Sequence, residues 1–488
     1  YVCEQEGEST RGGTPLVYEE DLSRVMQQSQ YSTLFERQRQ LFVTGKTRGY
    51  DFIIASLRTL DAELHKRERE IIDALWADFR KPAAETLVSE LGIVHQEIAY
   101  IRSKLKSWRR ATRVRTPLLL AFARSYHRYE PHGNTLIISP WNYPLQLALS
   151  PLVAAVAAGN CVILKPSEYT PHTNKVLQAI IAQCFAPEHV AILCLDAQQS
   201  EELLALPFDY IFFTGSTRVG RIVAQKAALN LTPLTLELGG KSPAVVAADA
   251  PLPIVAQRLV WAKFFNCGQS CIAPDYLLVH AKVKEAFIAL LQQTITAFYG
   301  QDPKNSDDYG RIIHPQSHQR LVALLTTGKV ICGGEHDVDA RFIAPTLMED
   351  CDLNAEIMRE EIFGPILPIF VYREREEAMA LINKVSATPL AAYVFSQSEE
   401  FISYFNAGVA YGSGCINDAL IQYGSYRLPF GGKGLSGMGK SRGKHGFVSF
   451  SHQKATTRRS LRFELPLRFP PYRHTWMLRM ALKLLKRL

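Results

Sequence analysis

The chain has 488 residues, 47% hydrophobic and 21% charged, a globular balance that excludes a disordered or collagen-like polymer. Its length allows two or more domains, each with its own core. Nine irregularly spaced cysteines without a CxxC pair argue against a zinc ribbon, a thioredoxin-type site and a disulfide framework, and point to a reducing, cytoplasmic setting.

Residues 1–30 are set aside as an N-terminal extension. The chain opens at Tyr1 with a polar stretch, and no secretory signal is read there. Residues 31–112 read as helices, with Leu57, Leu60, Leu64, Ile71, Ile72 and Leu75 near helical spacing. Thr44-Gly45-Lys46-Thr47 resembles the end of a phosphate-binding loop, but Gln40 stands where the first glycine is required. From residue 132 short apolar runs alternate with helical stretches. Strands are expected at Asn134–Ser139, Cys161–Lys165, His189–Leu195 and Tyr210–Thr214, and helices at 145–158, 172–185, 199–206 and 218–229. This alternation predicts a parallel, doubly wound α/β sheet with ligands at the strands' carboxyl ends. The uncharged run Leu145 to Leu164 contains Pro151, Gly159 and Asn160, so it reads as a buried helix and strand rather than a membrane span. A second α/β region covers 239–425, with strands at Tyr276–His280, Ile366–Val371 and Ala392–Phe395. Gly431–Gly446 reads as a loop.

Three segments carry candidate chemistry. Cys271, in Gly268-Gln269-Ser270-Cys271-Ile272-Ala273-Pro274, has small and polar neighbours; in an open loop with a lowered pKa it would be a nucleophile, and otherwise it is a packed thiol. Cys267 stands close enough in sequence to pair with it under oxidation. Glu237, between two leucines and before Gly239-Gly240-Lys241, is either a base with a raised pKa or an ion-pair partner of Lys241. Thr214-Gly215-Ser216-Thr217-Arg218-Val219-Gly220 turns from a strand into a helix, whose first N–H groups suit a pyrophosphate.

Together with Gly133–Pro144, Glu360-Glu361-Ile362-Phe363-Gly364-Pro365 and Leu428-Pro429-Phe430-Gly431-Gly432, these segments resemble the aldehyde dehydrogenase superfamily from about Phe42 to about Pro471, nearest its class 3 branch of fatty and aromatic aldehyde dehydrogenases. The resemblance implies a Rossmann-type NAD-binding domain (31–238, with bridging strands about 113–131), an α/β catalytic domain (239–425) and a small oligomerisation element (426–472). It implies oxidation of an aldehyde to the acid, with NAD, and NADP as an option, as cofactor. Cys271 would be the nucleophile, Asn142 an oxyanion donor and Glu237 the general base for thioester hydrolysis. Trp141, Lys165, Glu168, Gly215, Ser216, Gly220, Glu361 and Phe363 would hold the cofactor, with Glu168 disfavouring a 2′-phosphate. No metal is expected, and class 3 relatives imply a homodimer. Gln422 departs from the branch, which often has His there. A CoA-acylating enzyme and a catalytically inactive homologue are the alternatives.

From Arg427 onward, fifteen Lys/Arg face a single acidic residue, Glu464. Residues 473–488 predict a basic amphipathic helix with Arg479, Lys483, Lys486 and Arg487 on one side. It either docks on protein or lies on an anionic membrane as a peripheral contact. No recognition motif accompanies the charge, so no specific nucleic acid is expected.

Overall fold

The computed structural model describes residues 31–117, 120, 122–462, 469–470 and 475–485. The expected N-terminal extension, and Lys486 and Arg487 of the tail, lie outside them.

The fold is α/β and contains two large sheets. In the six-stranded sheet the order is Gly437–Met438, Leu234–Glu237, Tyr210–Thr214, Asn134–Ile138, Cys161–Lys165, Val190–Ile192. All its pairings are parallel except that of the Gly437–Met438 edge. The strand after Val190 crosses back to the other side of Asn134–Ile138. That reversal opens a crevice at the carboxyl ends of the central strands, where a doubly wound sheet takes its ligands. The segments Ser139–Asn142 and Gly215–Ser216 leave the sheet there.

The observed elements follow the sequence pattern closely. Cys161–Lys165 and Tyr210–Thr214 are wholly buried, as parallel strands covered on both faces must be. The uncharged run forms the buried Gln146–Ala158 helix and the Cys161–Lys165 strand. Gly159, at φ 98°, ends that helix in the left-handed region. The strand expected to end at Leu195 is shorter, Val190–Ile192. Lys46–Arg48 is a turn of 3₁₀ helix after a helix, not a phosphate-binding loop.

The seven-stranded sheet runs Lys329–Cys332, Thr346–Glu349, Ile366–Tyr372, Tyr276–His280, Pro243–Val246, Ala391–Phe395, Ser413–Ile416, parallel beyond its antiparallel first strand. A separate three-stranded sheet joins Thr112–Val114, Ala123–Pro131 and Ser451–Arg459.

Gly431–Gly446 is more ordered than a loop. It supplies the Gly437–Met438 edge strand and the start of the Gly443–Ser449 helix. The edge strand pairs directly with Leu236 and Glu237, so the C-terminal segment reaches the candidate base. A buried ion pair of Arg442 with Glu97, and a 2.7 Å bond from Gly443 N to Glu97 Oε1, fix this segment to the Gly92–Trp108 helix.

Candidate active site

Cys271 lies where two cavities meet. Both are lined by Leu147, Thr214, Glu237 and Cys271. One, of about 240 Å³, is walled by apolar groups including Ile93, Tyr143, Trp261, Phe265, Leu420 and Phe430. The other, of about 670 Å³, is lined by Trp141, Asn142, Gly215, Ser216, Gly239, Glu361 and Phe363. A thiol between an apolar and a polar chamber can face a different reactant on each side.

Backbone geometry sets the thiol there. Asn266 and Cys267 adopt left-handed φ values of 53° and 55°, and Gly268 follows at 73°. Such a run of non-glycine residues is strained and persists only where its surroundings hold it. The Asn266 backbone N–H donates to Glu85 at 2.9 Å, and its side-chain amide donates to the Asn142 and Gln269 carbonyls. A Cβ at position 268 would lie 2.3 Å from the Gly364 carbonyl oxygen, so only glycine lets the nucleophile loop approach the Glu360–Pro365 motif. Cys267 is free and buried, with its thiol pushed up to about 12 by burial. Its place is in the core rather than in a disulfide with Cys271.

Of the two readings of Cys271, an open-loop thiol with a lowered pKa and a packed thiol, the surroundings favour a raised thiol. Burial raises it, and the Glu361 and Glu237 carboxylates add to the rise. Glu237 is 5% exposed. Burial pushes its carboxyl up to about 8, against the opposing bond from Ser441 Oγ, 2.8 Å from Oε1, and the Lys440 charge. Its Oε2 is buried without a hydrogen-bond partner. The alternative pairing with Lys241 is not formed: Lys241 pairs with Asp275. Asn142 Nδ2 donates to the Gln269 carbonyl at 3.0 Å, which spends one N–H and leaves the second for a ligand.

On the polar side Ser216 caps the Thr217–Leu229 helix by accepting from Val219 N at 3.3 Å, so the helix start faces the second cavity. Thr214 Oγ1 is buried and unpartnered. Burial raises Glu361 well above the carboxylate range; Asp275 adds to this and Lys241 opposes it. Trp141 meets Phe363 edge to face at 5.3 Å. These groups fit a dinucleotide: a helix N-terminus for phosphate, buried polar atoms awaiting partners, and aromatic walls. Lys165 and Glu168 pair at 3.0 Å beyond the next strand end, outside the cavity lining. Gly220 also lies outside that lining. It is buried one turn into the helix, where a Cβ would meet Leu238 at 2.6 Å, so it serves close packing.

Residues 52–456 match the family model described as Aldehyde dehydrogenase family. The chain belongs to the aldehyde dehydrogenase family. This aldehyde dehydrogenase is 44% identical over 437 residues to the human aldehyde dehydrogenase family 3 member B1, covering 89% of this chain and 93% of that one. It is 41% identical over 441 residues to the Staphylococcus aureus 4,4'-diaponeurosporen-aldehyde dehydrogenase, covering 90% and 96%. A Mycobacterium tuberculosis aldehyde dehydrogenase solved in complex with NAD+ superposes with a TM-score of 0.79 at 26% identity, covering 88% and 90%.

Several residues of this aldehyde dehydrogenase escaped the sequence reading. Lys263 is fully buried, its Nζ has no hydrogen-bond partner, and burial pushes it down to about 8 beside Asp275 and Glu361. Lys81 pairs with Glu90 at 2.6 Å, both wholly buried, and its ammonium sits 4.0 Å from the centre of the Tyr143 ring. Tyr143 in turn lines the apolar cavity together with Ser270, next to the nucleophile. A charged residue inside a helical pattern reads as solvated, so only the packing reveals these. Gln422, the departure from the branch, bridges Cys415 Sγ at 3.0 Å and the Tyr393 hydroxyl at 2.9 Å. Tyr393 donates to the carbonyl of Ile272, so Gln422 braces the loop just after Cys271.

With the half-buried Cys271 thiol raised by its surroundings, alkylation of its peptide by iodoacetamide is expected to keep rising from about pH 7 to about pH 10. A plateau below about pH 8 would contradict the raised thiol.

Proposed function

We propose that the chain oxidises medium- to long-chain aliphatic or aromatic aldehydes to carboxylic acids with NAD. The observation that carries this reading is the position of Cys271 and Glu237 on the boundary between an apolar and a polar cavity.

The aldehyde enters along the apolar cavity, and burial of its chain drives binding. The Cys271 sulfur bonds to the carbonyl carbon, and its proton leaves to water. The carbonyl oxygen becomes an oxyanion on the thiohemiacetal. It accepts from the free N–H of Asn142 and the Cys271 backbone N–H; losing one such donor costs ~10²–10³ in rate. NAD+ bound in the second cavity supplies the hydride acceptor. Gly215, Ser216 and Glu361 would hold it, with Trp141 and Phe363 as walls and Lys165 and Glu168 at the adenosine ribose, where the carboxylate favours NAD over NADP. Collapse of the oxyanion with loss of the carbon-bound hydrogen as hydride leaves a thioester on Cys271. Glu237, a base near neutral pH, then takes a proton from water, hydroxide adds to the thioester carbon, and the proton passes to the sulfur as it leaves, which restores both groups. A CoA-acylating enzyme would have no use for such a base, which disfavours that alternative.

kcat/KM is expected to climb with aldehyde length by about fourfold per methylene while the cavity still buries it, at ~0.8 kcal/mol each. Assays from propanal to dodecanal and benzaldehyde, with the product identified, check this. Cys271→Ala should abolish turnover and keep NAD binding. A preference for the shortest aldehydes, or residual turnover in Cys271→Ala, would overturn the reading.

A second reading concerns placement. The Thr475–Leu485 helix exposes Trp476, Met477 and Met480 as well as Arg479 and Lys483. Among the described residues no helix is long and apolar enough to cross a membrane. Such an amphipathic helix supports peripheral contact with anionic lipid. Removing residues 474–488 should lower co-sedimentation with phosphatidylserine vesicles and spare turnover of a short soluble aldehyde; undiminished co-sedimentation would discard it. The Ser451–Arg459 strand, an open edge of its sheet, supports a homodimer joined there.

A further inference from the structure

One cluster of ligating side chains lies apart from the aldehyde site. Asp61 and His65 stand four residues apart on one face of the Tyr50–Lys66 helix. His95 meets them from the Gly92–Trp108 helix packed alongside. One donor atom from each residue lies within 4.8 Å of the other two. His95 Nδ1 is 2.7 Å from Asp61 Oδ1, and Arg102 Nη1 is 3.4 Å from Asp61 Oδ2. The two imidazoles stack with centroids 3.9 Å apart and planes 13° apart. His95 Nε2 is buried and has no hydrogen-bond partner.

An Asp61–His95 pair accounts for Nδ1 alone. It leaves the second ring nitrogen of His95 withheld from water with nothing in exchange, and gives the His65 ring no polar role. We propose that Asp61, His65 and His95 form a binding site for a divalent cation of the zinc class that ties the two helices together. Two imidazoles with one carboxylate suit Zn²⁺, Ni²⁺ or Cu²⁺, whereas Mg²⁺ and Ca²⁺ demand oxygen donors. Zinc holds nitrogen at ~2.0–2.1 Å in a tetrahedron, so the donors must close to about 3.3 Å. His65 is exposed and can make that movement by changing rotamer. Asp61 Oδ1 faces His95 Nδ1 and Oδ2 faces Arg102, so Asp61 ligates by giving up its His95 bond or, from the outer shell, fixes the His95 tautomer that turns Nε2 to the ion. Water completes the shell from the open side. The site sits on the back of a helix whose Ile93 and Glu97 line the apolar cavity, so the ion braces a wall of that cavity without touching Cys271.

The test is a Co²⁺ titration of the full-length protein, read by visible absorption and melting temperature, with Zn²⁺ as competitor. One ion should bind per chain, with d–d bands, no thiolate charge-transfer band, and a rise in melting temperature that follows ion concentration. His65→Ala and His95→Gln should each weaken binding by at least ~10-fold. His65 is exposed, so His65→Ala should keep the ion-free melting temperature and aldehyde turnover, which separates lost ligation from lost folding. Absent saturation, a thiolate band, or unchanged binding in both variants would overturn the site.

Discussion

The Lys241 ammonium is buried at 4% side-chain exposure, and Asp275, at 5%, is its counter-ion. A charge taken that far from water is tolerated only with a partner and further hydrogen bonds. Lys241 obtains them from the carbonyls of Ile357 at 2.6 Å and Glu360 at 2.9 Å. Asp275 returns the favour to the same segment, accepting from Ile362 N at 3.0 Å. One ion pair thus joins the turn after Glu237, the loop after Cys271 and the segment carrying Glu361. The three side chains come from distant stretches of chain, and their common geometry depends on this junction. Replacing one partner would leave a buried charge unpaired and loosen all three at once.

Around that junction, low solvent access does most of the electrostatic work. Burial is the largest influence on Cys271, Glu237 and Glu361, and it favours the protonated form of each. It acts on Lys263 in the opposite direction, toward the neutral amine. The pocket therefore minimises net charge until reactants arrive. Glu237 at about 8 sits close enough to neutrality to take and return protons. The unpartnered Glu237 Oε2 and Thr214 Oγ1 are costs that a ligand or water would relieve.

The sheet strands were legible because buried parallel strands read as short apolar runs, and Cys161–Lys165 and Tyr210–Thr214 match them end to end. The motif residues lining the two cavities were legible through glycine-rich turns at strand ends. The Gly437–Met438 strand was not: two residues held by an edge pairing leave no periodicity to find. The sign of the Cys271 shift was not legible, because small neighbours in sequence leave both an open and a packed thiol possible, whereas burial and two carboxylates from elsewhere raise it. Lys81, Glu90 and Lys263 carry no signal of burial in the sequence, and only tertiary packing puts them inside. Gly220 looked like part of a phosphate turn, but contact with Leu238 explains it.

In the proposed covalent relay Cys271 holds the acyl group and Glu237 releases it. Mass spectrometry of the Glu237→Gln protein after incubation with decanal and NAD+ tests it most directly. A decanoyl adduct is expected on the peptide that contains Cys271, persisting because hydrolysis has lost its base. Absence of any adduct while turnover continues, or an adduct on another cysteine, would contradict it.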